Sequence, residues 1–375
     1  MRDKLLSVKR KLFGLNCLDL SSLLKRSRPL LEPLRNTLAN SNPRKQYPAG
    51  VKFAFGTLDL TLYVALMPAV HHVCRLANVQ DIRKSAPLWG QDRSLFDTDV
   101  WISLPTLLEE LLRNQLVRLI YIESLPSCEP RLLGGISFIN PGYADEAHVK
   151  GSTLPNVVFR AVLENRTPFL SPKDIGKINA RGELHLMNFF GNFSDLDLSQ
   201  LEMANFYEVS NHGYHFFHFG YAYRALWADV SAAHHVQELQ NQGMQILRVL
   251  TLPAGHTSTL MCLTRDVAQA NPYLRRSGFF FPPKPRFKFS LGEQALLELS
   301  MLDIPDDHIV ASLHVSTDAI KKRWRSIYAK VDSADPELLT HMNSGTEQRR
   351  ALLSYMRMHL EEIRPYDSTE QAVRT

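Results

Sequence analysis

Between Phe206 and Trp227 the chain reads FYEVSNHGYHFFHFGYAYRALW, its densest concentration of side chains able to bind something. Residues 201–230 hold nine aromatic residues and three histidines, His212, His215 and His218. Imidazoles at such spacing on a helix could ligate a metal. No cysteine or carboxylate lies among the three, however, and steps of three drift around a helix, so no metal and no cofactor are expected. A second reading is an aromatic-walled ligand pocket, with Tyr214, His215, His218 and Tyr221 as candidate lining. A third is ordinary core, in which buried histidines simply make hydrogen bonds. Other chemistry has less support. Cys74 follows His71 and His72 too closely on one expected helix to define a nucleophile–base pair. Gly176-Lys177 fails as a phosphate loop, because Ser171 stands where glycine is needed and Ile178 where a hydroxyl should follow. No catalytic residue is assigned.

A second group of chemically capable residues is basic. Residues 289–331 parse as three short helices. Ser290 with Glu293 makes a capping box ahead of Leu296, Leu297 and Leu299. Asp303-Ile304-Pro305 ends that helix, and Ile309, Val310 and Leu313 face inward from the next. A tight turn at His314-Val315 follows, with Ser316 as the N-cap of the third helix. There Ile320, Trp324, Ile327 and Val331 recur at spacings of four, three and four, which defines one apolar face. Lys321, Lys322, Arg323, Arg325 and Lys330 fall around the other side, as on a helix offered to a major groove. A solvated charged face on a small bundle is the plainer alternative.

The segment from Phe289 to Val331 resembles, without a gap, the DNA-binding domain of the LuxR/GerE family of bacterial transcription regulators. Ser290, Glu293, Leu297, Ile309, Leu313, Val315, Ser316, Ile320, Lys321, Ile327, Lys330 and Val331 match its pattern. Gly292, Asp303, Pro305 and Ala319 depart from it. The resemblance implies double-stranded DNA and RNA polymerase as partners and a homodimer. It implies DNA contacts from Lys321 and, more loosely, from Arg323 and Arg325; Ser316, Thr317 and Lys322 complete the set of candidate DNA-binding residues.

A chain of 375 residues suffices for two domains. Four cysteines without a C-x-x-C point to reduced thiols in a cytoplasm. The longest apolar run, near Leu62 to Val70, is too short to span a bilayer. Net charge is +5. Residues 1–45 hold eleven Lys/Arg against three Asp/Glu, a balance of +8, so the remainder sums to −3. Any nucleic-acid footprint is therefore local. Helices are expected over 57–76, 104–114, 155–165, 199–211 and 214–242, and strands over 116–122, 133–139, 184–190, 245–252 and 258–264.

The expected fold class is an α+β sensory or regulatory domain, with a mixed or antiparallel sheet covered by helices, followed by an all-α helix-turn-helix domain. Its boundaries are a basic arm at 1–48, the sensory domain at 49–281, and a proline-bearing linker at 282–288. The helix-turn-helix occupies 289–343, and a last helix and tail 344–375. The expected function is a ligand- or signal-sensing transcription regulator without enzymatic activity. An enzyme with a transferase-like α+β domain and a protein-interaction scaffold are the alternatives.

Overall fold

A computed structural model describes residues 71–125, 127–189, 200–252, 255–274, 276–302, 304–340, 342 and 344–367. The arm expected over 1–48, most of the helix expected over 57–76, and Asp303 lie outside them. In chain order the elements begin β1 (His71–Leu76), α1 (Val79–Lys84), α2 (Thr98–Arg113), β2 (Arg118–Leu125) and β3 (Glu129–Phe138). They continue α3 (Gly142–Lys150), α4 (Leu154–Leu163), α5 (Pro172–Arg181), β4 (Leu184–Phe189), α6 (Gln200–His218) and β5 (Tyr223–Val230). Then come α7 (Ala233–Asn241), β6 (Gln245–Thr251), β7 (Thr257–Thr264) and α8 (Arg265–Ala270). The C-terminal helices are α9 (Leu291–Met301), α10 (Asp306–Ser312), α11 (Thr317–Ala334), α12 (Glu337–Thr340) and α13 (Gly345–Met358).

Among the described residues the strands form one seven-stranded sheet in the order β1-β2-β3-β4-β5-β7-β6. β3 runs antiparallel to β4, β5 to β7, and β6 to β7, whereas β4 and β5 are parallel. A parallel pair needs a crossover, and α6 provides it. One apolar cluster joins Met187 and Phe189 of β4 to α2 and α4 through Leu104, Leu108, Val158 and Phe159. A second joins Leu184, Leu186, Leu226 and Met261 to Phe217 and Tyr221. The alternation of Leu184 and Leu186 with Met187 and Phe189 places the two clusters on opposite faces.

Two of the expected helices contain strands. Residues 71–76 pair in the sheet as β1. The helix expected over 214–242 stops at His218, and β5 and α7 follow. The break is at Gly220, whose φ is +91°. A Cβ there would stand 2.6 Å from the Glu361 amide nitrogen and 2.7 Å from the Leu360 carbonyl carbon, so only glycine fits. Further along, α2 starts six residues ahead of its expected position and carries Pro105 in its interior.

The chain divides into two compact units. Residues 71–73, 123–125, 127–129 and 200–210 belong to one. In it the His72 amide donates to Asn205 Oδ1 at 3.1 Å, and the His72 and Phe206 rings meet edge to face. The rest, from Cys74 to the last described residue, forms the other, with the C-terminal helices included. The expected plan of a sensory domain followed by an independent all-α domain is thereby corrected: α9 to α13 share one unit with most of the mixed sheet. The physical reason is an extensive polar and apolar junction. Phe216 and Phe219 pack on the cluster of Phe287, Leu297, Trp324, Leu352 and Ile363. The segment 282–288 contributes too, since the amides of Arg286 and Phe287 donate to the Glu362 carboxylate at 2.9 and 3.0 Å. Cys74 and Cys262 are free thiols. Among the described residues no helix is long and apolar enough to cross a membrane.

Candidate functional site

The parallel pair is the first feature able to organise a ligand. β4 and β5 pair from Leu184↔Tyr223 to Asn188↔Ala228, with a shift after Leu184. β5 continues alongside β7 to Val230↔Thr259. Direction therefore reverses on both sides of the pair, and the carboxyl ends of both strands lie together. In sheets of helix-covered parallel strands, such a switch point is where ligands bind. Asn188 Nδ2 donates across the pair to the Trp227 carbonyl at 3.3 Å. Trp227 Nε1 donates to His185 Nδ1 at 3.1 Å, which identifies that ring nitrogen as the bare one. Burial holds the His185 pKa below its ordinary value. Just beyond the last parallel pair, buried Asp229 accepts from the Leu154 amide at 2.8 Å and from the Ser258 hydroxyl. Burial raises its pKa, against the opposing hydrogen bonds from Ser258 and Leu154. Asp229 thus ties the start of α4 to the carboxyl end of β5.

The second feature is a cavity of about 300 Å³ whose wall draws on β2, β3, β4, the end of α6, α9 and α10. Ile136, Phe138, Leu186 and Phe217 give it an apolar side; Arg118, Glu298, Gln294 and His218 give it a polar one. Arg118 donates from both terminal nitrogens to Glu298, at 3.1 and 3.2 Å. Arg364, with 0% of its side chain exposed, donates to the same carboxylate at 3.2 Å. It also donates to the carbonyls of Phe219 at 2.9 Å and of Phe216. Those carbonyls belong to the end of α6, where a helix carries partial negative charge. Burial favours neutral Glu298, but Arg118 and Arg364 override it and hold its pKa low. Gln294 closes the network by donating to the Arg364 carbonyl at 2.8 Å.

Two acceptors on these residues are left without a partner. His218 is 1% exposed, its Nδ1 bonded to the Tyr214 carbonyl at 2.6 Å. Its Nε2 is buried without a hydrogen-bond partner, as is Gln294 Oε1. Burial, with help from Arg276, Arg364 and Arg118, pushes the His218 pKa down to about 3, so the ring is neutral.

The candidate pocket residues separate. His218 and Tyr221 line the cavity. Tyr214 stacks on His218 and takes a hydrogen bond from Arg276 at 2.9 Å. His215 is exposed and stacks on Phe219. Among the described residues no group of three metal-binding side chains assembles. Of the DNA-contact candidates, Ser316, Thr317, Lys321, Lys322 and Arg325 are exposed. Ser316 caps α11 by accepting from the Ala319 amide at 3.2 Å. Arg323 is half-buried, with its guanidinium 3.1 Å from where a Cβ on Gly292 would be. Arg118, Glu298 and Arg364 escaped sequence reasoning because they come from three distant segments. Their one signal is a lone charge inside an apolar run, as in LVRLIYI and ALLELSML.

No protein-family model matches the chain, and no curated protein does. Solved structures do. An N-acyl amino acid synthase, FeeM, from uncultured soil microbes is 8% identical, with a TM-score of 0.32 over 54% of this chain and 94% of that one. A polyamine N-acetyltransferase of Drosophila melanogaster is 11% identical, with a TM-score of 0.30 over 52% of this chain and 99% of the other. The spermidine/spermine N-acetyltransferase SpeG of Vibrio cholerae is 10% identical, with a TM-score of 0.32 over 55% and 98%. The similar structures are acyl-transferring enzymes, and the expectation of a DNA-binding regulator without enzymatic activity is corrected accordingly. DNA and RNA polymerase as expected partners are corrected with it.

Proposed function

We propose that the protein is an N-acyltransferase, moving an acyl group from a thioester donor to an amine. The parallel β4–β5 junction within an otherwise antiparallel stretch of sheet carries this reading. A donor is suited to the carboxyl ends of these two neighbouring parallel strands, because ligands bind where strand direction switches in a helix-covered sheet. The amine nitrogen attacks the thioester carbonyl carbon, the carbon–sulfur bond breaks, and the sulfur leaves as thiolate, which takes up the proton the amine gives up. Such a transfer depends on positioning two substrates, for which a rigid sheet is a sound support. Asp229 and Asn188 act as positioning residues: one fixes α4 to β5, the other braces β4 against β5. The similar structures act on amino acids and polyamines by their names, which sets the first acceptors to try. A cytoplasmic location belongs to the same proposal, as the compartment that supplies activated thioesters.

The test incubates the full chain with acetyl-, octanoyl- and palmitoyl-coenzyme A and a panel of amino acids, polyamines and arylalkylamines. Thiol release and the mass of the amide product are followed together. An amide formed in step with thiol supports the proposal. Folded protein that forms no amide with any pair refutes it, and thiol release alone would make the protein a thioester hydrolase.

A further inference from the structure

The cavity of about 300 Å³ lies where β2, β3 and β4 face α9 and α10. Its wall is mainly apolar, with Ile136, Phe138, Leu186, Phe217, Leu299 and Leu313 among the lining residues. The polar residues of the wall are spent inside the protein. Arg118 and Glu298 pair through two hydrogen bonds at 3.1 and 3.2 Å, so together they add no net charge. The Ser137 hydroxyl donates to the Leu116 carbonyl at 2.7 Å, and the Ser312 hydroxyl to the His308 carbonyl at 2.8 Å. Gln294 donates to the Arg364 carbonyl at 2.8 Å. His218 Nε2 and Gln294 Oε1 are enclosed by packing and present no surface to the cavity. Buried water needs about two to four polar partners, and a cavity walled by apolar groups takes apolar molecules instead. The space can also be entered from outside. Gln115, Leu291 and Ser312 of its lining are exposed, Leu291 at 46%, whereas Leu186 at its floor is 1% exposed.

We infer that this cavity binds an uncharged apolar molecule of up to about twelve carbon atoms. The size follows from the volume: an apolar cavity of about 150 Å³ takes one six-carbon ring, so about 300 Å³ takes roughly twice as many carbons. The absence of charge follows from the wall. A charged head group would find Arg118 and Glu298 already satisfied by each other, and leaving water without a partner is costly. It would therefore stay in solvent at the open side, by Gln115 and Ser312, and keep the nearest carbons of its chain out of the cavity. Binding rests on contact with Ile136, Phe138, Leu186 and Phe217, which recognises length and bulk and not a particular functional group. Because the wall combines strands with α9 and α10, an occupant strengthens the junction between the sheet and the C-terminal helices. The inference stands independently of the acyltransferase proposal, since its readout is binding and not turnover.

The experiment uses the full chain, calorimetric titration and thermal unfolding. The probes are 1-hexanol, 1-octanol, 1-decanol and 1-dodecanol, with octanoate and octylammonium as charged counterparts. The alcohols should raise the Tm with concentration, as any native-state ligand does. Each step of two methylenes should tighten binding about fifteenfold while the chain still has room. The gain should shrink to about fourfold or less by the step from decanol to dodecanol, when the cavity is full. Octanoate and octylammonium should both bind at least about fourfold more weakly than octanol, for at least one methylene left outside. Leu186→Trp shortens the space from its floor and should move the break in the series to a shorter alcohol. Leu313→Trp, at a half-buried position, should do the same and serves if Leu186→Trp fails to fold. If neither variant folds, the series on the unmodified protein decides. The inference is overturned if no alcohol binds, if affinity climbs undiminished through dodecanol as it would on an open surface, if either ion matches octanol, or if a folded variant leaves the break in place.

Discussion

Acid should destabilise this protein through His218. The imidazole is 1% exposed, stacked 3.9 Å from Tyr214, and bonded through Nδ1 to a carbonyl. Burial first, then nearby arginines, lower its pKa to about 3 from an ordinary 6.5. As pH falls below 6.5 the unfolded chain takes up this proton while the folded chain does not, so stability declines until the pH reaches the folded value. Above about pH 7.5 the residue has no effect. Each pH unit well inside that window costs about 1.4 kcal/mol. Between pH 7 and pH 5 the loss works out at about 2 kcal/mol, a large share of a typical folding free energy. Urea unfolding of the wild type and of His218→Phe at both pH values measures it. Other titrating groups, among them His185 and His215, contribute equally to both proteins and cancel in the comparison. The wild type should lose about 2 kcal/mol more than the variant. Equal losses would show that His218 is protonated in the folded state and would refute the neutral, buried imidazole.

Three further outcomes follow from the packing. Arg364→Ala strands the Phe216 and Phe219 carbonyls and should cost about 3–5 kcal/mol in denaturant melts, as removal of one member of a buried ion pair does. Gly220→Ala adds a methyl group 2.6 Å from the Glu361 nitrogen at a φ of +91°, and should lower stability by about 2 kcal/mol or more in the same melts. Trp324→Ala empties the centre of the C-terminal cluster, where Arg349 lies 4.4 Å over the indole, and should cost about 3–5 kcal/mol by thermal unfolding.

Local signals in the sequence located most elements well. The expected strands at 116–122, 133–139, 184–190, 245–252 and 258–264 overlap β2, β3, β4, β6 and β7, because branched and apolar residues at those positions sit between clear breaks. The capping box of Ser290 and Glu293 is present, with Ser290 N 2.6 Å from Glu293 Oε2. Ile320, Trp324, Ile327 and Val331 are all buried, since a helical period of apolar residues needs no tertiary information to be read. β1 and β5 were hidden for the opposite reason. HHVCRL and YRALWADV have no strong period, and their strand state comes from neighbours far away in sequence. The one local cue for β5 was Gly220, which ends the preceding helix in the manner of a left-handed C-terminal glycine.

A helix-turn-helix pattern constrains the inward face of each helix and says little about what the other faces meet. In α9 the pattern accounts for Leu296, Leu297 and Met301, which pack with Ile320 and Ile327. It does not account for Glu298, set between Leu297 and Leu299 and nearly enclosed. A carboxylate so placed is expensive unless a cation meets it, and a freestanding three-helix domain would have to supply one from its own short sequence. Here Arg118 arrives from β2 and Arg364 from beyond α13. Gln294, one turn earlier on the same face, is also buried and reaches the Arg364 carbonyl. Two polar residues four apart, one buried and the other nearly enclosed, mark a second packing face on α9. The basic side of α11 remains exposed as its period requires, but solvated lysines and arginines are common on any helix. A buried acid with distant partners is the more informative observation, because it requires an assembly that charge on an open surface does not.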